Sequence, residues 1–238
     1  MAKPSAFFTL HRDLPREGPG LPADIAWVAD HAHVPKGGRI LDGACGPGAD
    51  IGTLLDTFAP ATLIGVDWQA HFAAEGAATF ADDPRVTVTQ GDMFAQPGPF
   101  DLIWCAGAIY FAGITQSLQN WNAALAPGGT IAFTTPAYFT DTPSATAQAM
   151  WAGEGETPNR RQITQQITAA GFRLTASRPL TDAAWHAYYD PMMARIAKLR
   201  PGADTALIKV LDEGAQELTD WQAAKDETGY ELCVVTRA

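Results

Sequence analysis

The stretch Arg39-Ile-Leu-Asp-Gly-Ala-Cys-Gly-Pro-Gly48 decides the fold. Ile40 and Leu41 read as the apolar run of a buried parallel strand, and Asp42 marks its carboxyl end. Gly46 and Gly48 let the backbone pass close to a ligand, where a side chain would collide. Past the turn, Ile51, Leu54, Leu55 and Phe58 recur at helical spacing, so a helix starting near Ala49 packs on the sheet. A strand, a tight glycine loop and a helix amino-terminus in succession form a site for a nucleotide or other charged ligand. A single loop of this kind also occurs in dehydrogenases and as plain structure, so the neighbouring segments carry the decision.

Those segments repeat the theme. Leu63-Ile-Gly-Val-Asp67 is a second apolar strand ending in a carboxylate, which suits a ribose diol. Val86-Thr-Val-Thr-Gln-Gly-Asp92 is a β-branched strand ending in Gly91 and Asp92. Phe100-Asp-Leu-Ile-Trp-Cys105 is a fourth strand, running into a small-residue loop that reaches Tyr110. Leu125-Ala-Pro-Gly-Gly129 leads into a fifth, Thr130-Ile-Ala-Phe-Thr134. A carboxylate at a strand end is often only a helix cap or a loop acceptor. Asp42, Asp67 and Asp92 share the edge at which open α/β sheets bind ligands, and that common placement argues for function.

In this order the features resemble the class I S-adenosylmethionine-dependent methyltransferases, closely over about residues 37–135 and loosely beyond. The variant of that family's acidic glycine pattern here is Asp42-Gly-Ala44-Cys45-Gly46-Pro-Gly48. Ala44 departs from the usual glycine, and alanine fits there if its φ is negative. The resemblance implies a doubly wound seven-stranded sheet of order 3-2-1-4-5-7-6, the last strand antiparallel. It implies S-adenosyl-L-methionine as cofactor, with Asp67 on the ribose, Asp92 on the adenine amino group and the Met93 backbone at the ring. The implied cofactor set is completed by Trp68, Gly91 and Cys105, and Tyr110 falls where the family faces the transferred methyl. Tyr110 as a packed loop aromatic is an equal alternative.

The ends of the chain are less constrained. Residues 1–36 read as a proline- and glycine-rich segment followed by a helix from about Pro22 to Val34, and residues 37–238 as the main domain. By the resemblance, Leu14-Pro-Arg-Glu-Gly-Pro-Gly20 is a lid whose Arg16 forks onto the methionine carboxylate; a tail with an exposed arginine fits the composition equally. An irregular insertion is expected over residues 136–158, and Arg160-Arg161 as the solvated start of a helix. Two inserted helices are expected at about 181–199 and 204–223; by the resemblance they form a substrate cap, in which Trp185 and Tyr189 are candidate substrate contacts. Aromatic clusters on amphipathic helices are more often core. Tyr230-Glu-Leu-Cys-Val-Val-Thr236 closes the sheet.

Composition narrows the partners. The chain has 238 residues, 47% hydrophobic and 18% charged, which fits one α/β domain with a substantial core. A formal charge of −10 without a basic stripe disfavours a phosphate backbone. Three cysteines, Cys45, Cys105 and Cys233, lie in or beside apolar strands without metal-ligand spacing, so a reduced cytoplasmic protein without a metal is expected. No apolar run approaches a membrane span and the amino-terminus lacks a signal-peptide core. The expected acceptor is a small molecule, because the chain lacks the Asn-Pro-Pro-Tyr and Pro-Cys sequences of nucleic-acid methylating enzymes. His71 and His186 are weak candidates for a base. Two other readings stay open. An NAD-dependent oxidoreductase is disfavoured by Ile51, where a dinucleotide fingerprint needs glycine. A protein that binds the cofactor without catalysis lacks a contrary sign, since no catalytic side chain stands out.

Overall fold

A computed structural model describes residues 5–153 and 155–238. Its chain order is α1 (Ala6–His11), α2 (Pro22–Ala29), β1 (Arg39–Gly43), α3 (Ile51–Phe58), β2 (Thr62–Asp67), α4 (Ala70–Thr79), β3 (Val86–Gln90) and β4 (Phe100–Cys105). There follow α5 (Ile114–Asn122), β5 (Leu125–Tyr138), α6 (Ala145–Met150), α7 (Arg160–Ala169), β6 (Phe172–Pro179), α8 (Asp182–Leu199), α9 (Thr205–Ala224) and β7 (Thr228–Arg237). The sheet runs β3-β2-β1-β4-β5-β7-β6. β1 pairs in parallel with β2 and β4, and β7 runs antiparallel to both β5 and β6. This is the doubly wound seven-stranded order that the resemblance implies.

Each central strand is buried on both faces, which explains its continuous apolar run. Ile40, Leu63 and Leu102 join the core under α2, α3, α8 and α9. Leu41, Val66 and Ile103 turn to the opposite core, closed by Leu118 and Trp121 of α5 and by Ile163 and Ile167 of α7. Two layers of helix therefore clamp the sheet and hold its carboxyl edge rigid. None of the helices among the described residues is long and apolar enough to cross a membrane.

Several sequence expectations need correction. The helix α2 ends at Ala29 rather than near Val34, because Pro35 disfavours the helical region for the residue before it and the chain has already turned at Asp30. The stretch 136–158 is less irregular than expected. β5 continues to Tyr138, which bridges to Asn159, and Ser144 caps α6 through Ala147 N–H. Arg160 does begin a helix, but it is not simply solvated. Its Nε donates to Glu231 Oε2 at 3.0 Å, its guanidinium lies over the Phe139 ring, and Glu231 is only 2% exposed.

Candidate active site

The glycine loop between β1 and α3 is held by the end of β2. Asp67 accepts Gly46 N–H on Oδ2 at 2.9 Å and Gln69 N–H on Oδ1 at 2.7 Å. Cys45 N–H donates to Val66 O at 3.0 Å, and Gly48 N–H returns to Cys45 O at 2.9 Å. Gly48 has φ +91°, and a side chain there would press on Phe80. Ala44 corrects a sequence expectation: its φ is +60°, in the left-handed region, so this alanine carries the conformation that glycine usually supplies. The surrounding loop bonds hold it there.

One cavity of about 900 Å³ opens over this edge of the sheet. Its floor brings together Asp42, Ala44, Cys45, Gly46, Asp67, Trp68, Gly91, Asp92 and Met93, so most of the expected cofactor residues share one wall. Cys105 and Gly48 do not line it. Cys105 is fully buried in β4, and Gly48 serves the turn behind the wall. Trp68 is 73% exposed and stands at the rim as a free aromatic face. Asp92 accepts Phe94 N–H at 2.8 Å, so it also shapes its own turn.

Asp42 is the electrostatic centre of the floor. It is 2% exposed, and its Oδ2 is buried without a hydrogen-bond partner among the described residues. Burial, then the neighbouring Asp50 and Asp67, push its carboxyl well above the usual range, against the pull of Arg16. A buried orphan acceptor facing a cavity is a receptor for a donor or a cation. Burial likewise pushes the thiols of Cys45 and Cys105 far up, so both are neutral.

The amino-terminal segment closes one side. Leu10 and Leu14 are buried, and Gly20 N–H donates to Ala184 O at 3.2 Å, which anchors the segment on α8. Arg16 lines the cavity, donating to Gly18 O through Nε and pairing with Asp50 Oδ1 through Nη2 at 3.3 Å. Asp50 Oδ2 accepts Trp104 Nε1–H at 2.9 Å, so this carboxylate joins segment, loop and sheet. Glu17 faces the loop beside Gly46, pairs with His11 at 2.7 Å, and leaves its Oε1 buried without a hydrogen-bond partner.

The far wall is aromatic. Tyr110, at the end of the β4 loop, places its hydroxyl 3.4 Å from that of Tyr230 on β7. Tyr230 stacks on Trp151 with ring centres 5.6 Å apart, and Trp185 packs on it at 5.3 Å. Tyr188 and Glu217 complete this end of the lining. Tyr189 does not reach the cavity: it is fully buried and donates to Glu217 Oε1 at 3.1 Å, so it positions that carboxylate. Neither histidine named from sequence lines the cavity. His71 packs between Phe8 and Phe72, and His186 pairs with Asp190 along α8.

Sequence reasoning missed Glu17, Tyr188, Glu217, Tyr230 and Trp151. Glu217 gave no signal, because it is an exposed residue of α9, where a carboxylate is ordinary. Tyr230 gave none, because an aromatic in an apolar strand reads as core.

A family model described as a methyltransferase domain matches residues 40–129. A trans-aconitate 2-methyltransferase of Streptomyces avermitilis is 32% identical over 112 residues, 44% of this chain and 41% of that protein. Another, of Deinococcus radiodurans, is 29% identical over 184 residues, 77% of this chain and 67% of that protein. The chain thus spans less than half of the first relative and about two thirds of the second. Among solved structures, a SAM-dependent methyltransferase from Geobacter sulfurreducens, in complex with S-adenosyl-L-homocysteine, superposes with a TM-score of 0.83 at 16% identity over 98% of both chains. One from Thiobacillus denitrificans, with the same ligand, gives 0.81 at 18% over the whole of both. At such identities the structural likeness is one of fold. The matched methyltransferase domain thus spans residues 40–129, and the whole chain is similar in fold to these S-adenosylmethionine-dependent methyltransferases.

Proposed function

We propose that the protein transfers a methyl group from S-adenosyl-L-methionine to a small-molecule acceptor. The observation that carries this is a cavity lined both by acids from three successive strand ends and by an aromatic wall. The buried, unpartnered Asp42 Oδ2 fits a ligand that brings an ammonium group, and Asp67 has lone pairs left for a diol. When bound, the cofactor supplies a sulfonium-activated methyl group. The protein's part is then alignment and exclusion of water. Asp42, Asp67 and Asp92 would hold the cofactor from below, Trp68 would cover its base, and the tyrosine wall would hold the acceptor opposite.

Residues 1–36, of which 1–4 lie outside the described residues, are read as a lid over the cofactor edge, with Arg16 as its latch and residues 37–238 as the catalytic domain. The free buried cysteines and the −10 charge support a cytoplasmic enzyme without nucleic-acid partners. Titration calorimetry with S-adenosylhomocysteine tests the cofactor, alongside NAD as the competing ligand. Saturable heat with the first and none with NAD is expected. The reverse pattern would hand the site to the oxidoreductase reading. Transfer of labelled methyl to components of a metabolite extract separates catalysis from binding alone.

A further inference from the structure

A run of aromatic rings leads from the mouth of the cavity to its interior. Phe111, 75% exposed at the rim, leans on Tyr110 with ring centres 4.5 Å apart. Tyr110 meets Tyr230 at 6.3 Å, and Tyr230 contacts both Trp151 and Trp185, at 5.6 and 5.3 Å. All five rings line the cavity, and Trp185 at the inner end is only 3% exposed. Core packing accounts for the inner rings but not for Phe111. Among the described residues the exposed large hydrophobics are Phe7, Trp68 and Phe111, and all three line this one cavity. Apolar exposure gathered at a single mouth marks a binding surface. The volume of about 900 Å³ lies near the top of the range of about 300–1,000 Å³ for small-molecule sites, which leaves room for a second molecule beside a cofactor.

The charges near this end are already matched within the protein. His11 and Arg16, the basic side chains among the described lining residues, face Glu17 and Asp50. Glu217 accepts the Tyr189 hydroxyl and reaches solvent. A carboxylate or ammonium group on the acceptor therefore gains no unmatched partner here and loses hydration on entry. What the wall does offer is ring faces and edges, together with the Tyr110 and Tyr230 hydroxyls 3.4 Å apart. Burial, ahead of the neighbouring Tyr110, pushes the Tyr230 hydroxyl far above its ordinary range, so it stays neutral and both donates and accepts. We infer that the aromatic end of the cavity binds an uncharged aromatic molecule bearing a hydroxyl group, and that this is the class of the methyl acceptor.

This rests on the reading of the cavity as a methyl-transfer site. The acceptor ring packs against Tyr230 and the two tryptophans, its hydroxyl group meets the tyrosine pair, and any longer apolar body leaves past Phe111. In the transfer, a lone pair of the hydroxyl oxygen forms the new bond to the methyl carbon. The hydroxyl proton passes to solvent water at the mouth. The carbon–sulfur bond breaks with its electron pair left on sulfur.

The test uses four probes of similar outline: 2-naphthol, naphthalene, decahydro-2-naphthol and 2-naphthoate. Each is titrated calorimetrically into the full chain saturated with S-adenosylhomocysteine. 2-Naphthol should bind at least about threefold tighter than naphthalene, which lacks the hydroxyl, and than decahydro-2-naphthol, which lacks the ring faces. The carboxylate should be weakest, by about tenfold or more. Phe111→Ala, at an exposed position, should weaken 2-naphthol severalfold and leave both melting temperature and S-adenosylhomocysteine affinity near wild type. Tyr230→Phe keeps the ring and should narrow the gap between 2-naphthol and naphthalene. Equal binding of 2-naphthol and its saturated counterpart, a preference for the carboxylate, unchanged 2-naphthol affinity in Phe111→Ala, an unchanged gap in Tyr230→Phe, or no binding of any probe overturns the assignment. Failure of S-adenosylhomocysteine itself to bind would instead remove the methyltransferase reading beneath it.

Discussion

Arg16 Nη2 lies 3.3 Å from Asp50 Oδ1, and this one pair fastens the amino-terminal segment to the loop that opens α3. Both side chains are nearly buried, so the pair is screened little by solvent. Asp50 is spared from capping α3 with its side chain and instead faces Arg16 and Trp104. The Arg16 guanidinium thus has a carboxylate partner within the protein itself.

That arrangement makes the first prediction. Arg16→Ala removes the tie and leaves Asp50 with Trp104 alone, so S-adenosylhomocysteine affinity should fall by about 1–3 kcal/mol. In wild type, hydrogen exchange over residues 5–20 should slow when S-adenosylhomocysteine is added, and the slowing should be lost in the variant. Equal protection with and without ligand would make the segment a permanent structural element, with no lid function.

Asp67 carries two duties, and the second prediction separates them. Its carboxylate already holds the glycine loop through Gly46 N–H and Gln69 N–H. Asp67→Ala should weaken S-adenosylhomocysteine binding by roughly 2–4 kcal/mol, and stability by about 1–3 kcal/mol through the orphaned Gly46 N–H. Asp67→Asn retains one acceptor oxygen, so it should recover much of the stability and little of the affinity. Unchanged affinity in either variant, read by calorimetry, would remove Asp67 from the diol.

The legible parts of this molecule were those written in local pattern. The strand-end acids and the glycine loop needed only a few consecutive residues, and the strand order followed from the resemblance those residues carried. The aromatic wall beyond Tyr110 and Trp185 was opaque for a physical reason. Trp151, Tyr188, Glu217 and Tyr230 come from four separate segments, and only the packing of α8 and α9 across the sheet edge brings them together. Tyr189 shows the converse error. It neighbours Tyr188 in sequence, but a helix turns adjacent side chains about 100° apart, so one faces the cavity and the other the core.

Ala44 gives a third prediction, at a position whose backbone geometry departs from the sequence expectation. At φ +60° a β-carbon crowds the backbone at a cost of about 1–2 kcal/mol. Ala44→Gly relieves that strain but adds about 0.4–1 kcal/mol of unfolded-chain entropy. The net expectation is a stabilisation between about 0 and 1.6 kcal/mol, measured from the midpoint of urea unfolding. A clear loss of stability would mean that the methyl group's packing outweighs its strain.

The last prediction follows from Asp42. Its carboxyl lies well above the ordinary value of 3.8, chiefly through burial and then through Asp50 and Asp67. Between that ordinary value and the raised one, the folded chain holds a proton that the unfolded chain has released. Stability therefore falls as pH rises through this window and stays reduced above it. Asp42→Asn cannot ionise, so its stability should lack this fall: near wild type in acid, and several degrees higher in melting temperature at neutral pH. Subtracting the two profiles over about pH 4 to 8 isolates Asp42 from the other acids. The ligand reverses the sign. An ammonium group beside the ionised carboxylate offsets the burial, so S-adenosylhomocysteine should bind wild type more tightly as pH rises through the same window, and should bind Asp42→Asn more weakly at neutral pH. A variant that is less stable than wild type at neutral pH, or parallel pH profiles, would show that Asp42 is a structural acceptor and that the buried charge is compensated elsewhere.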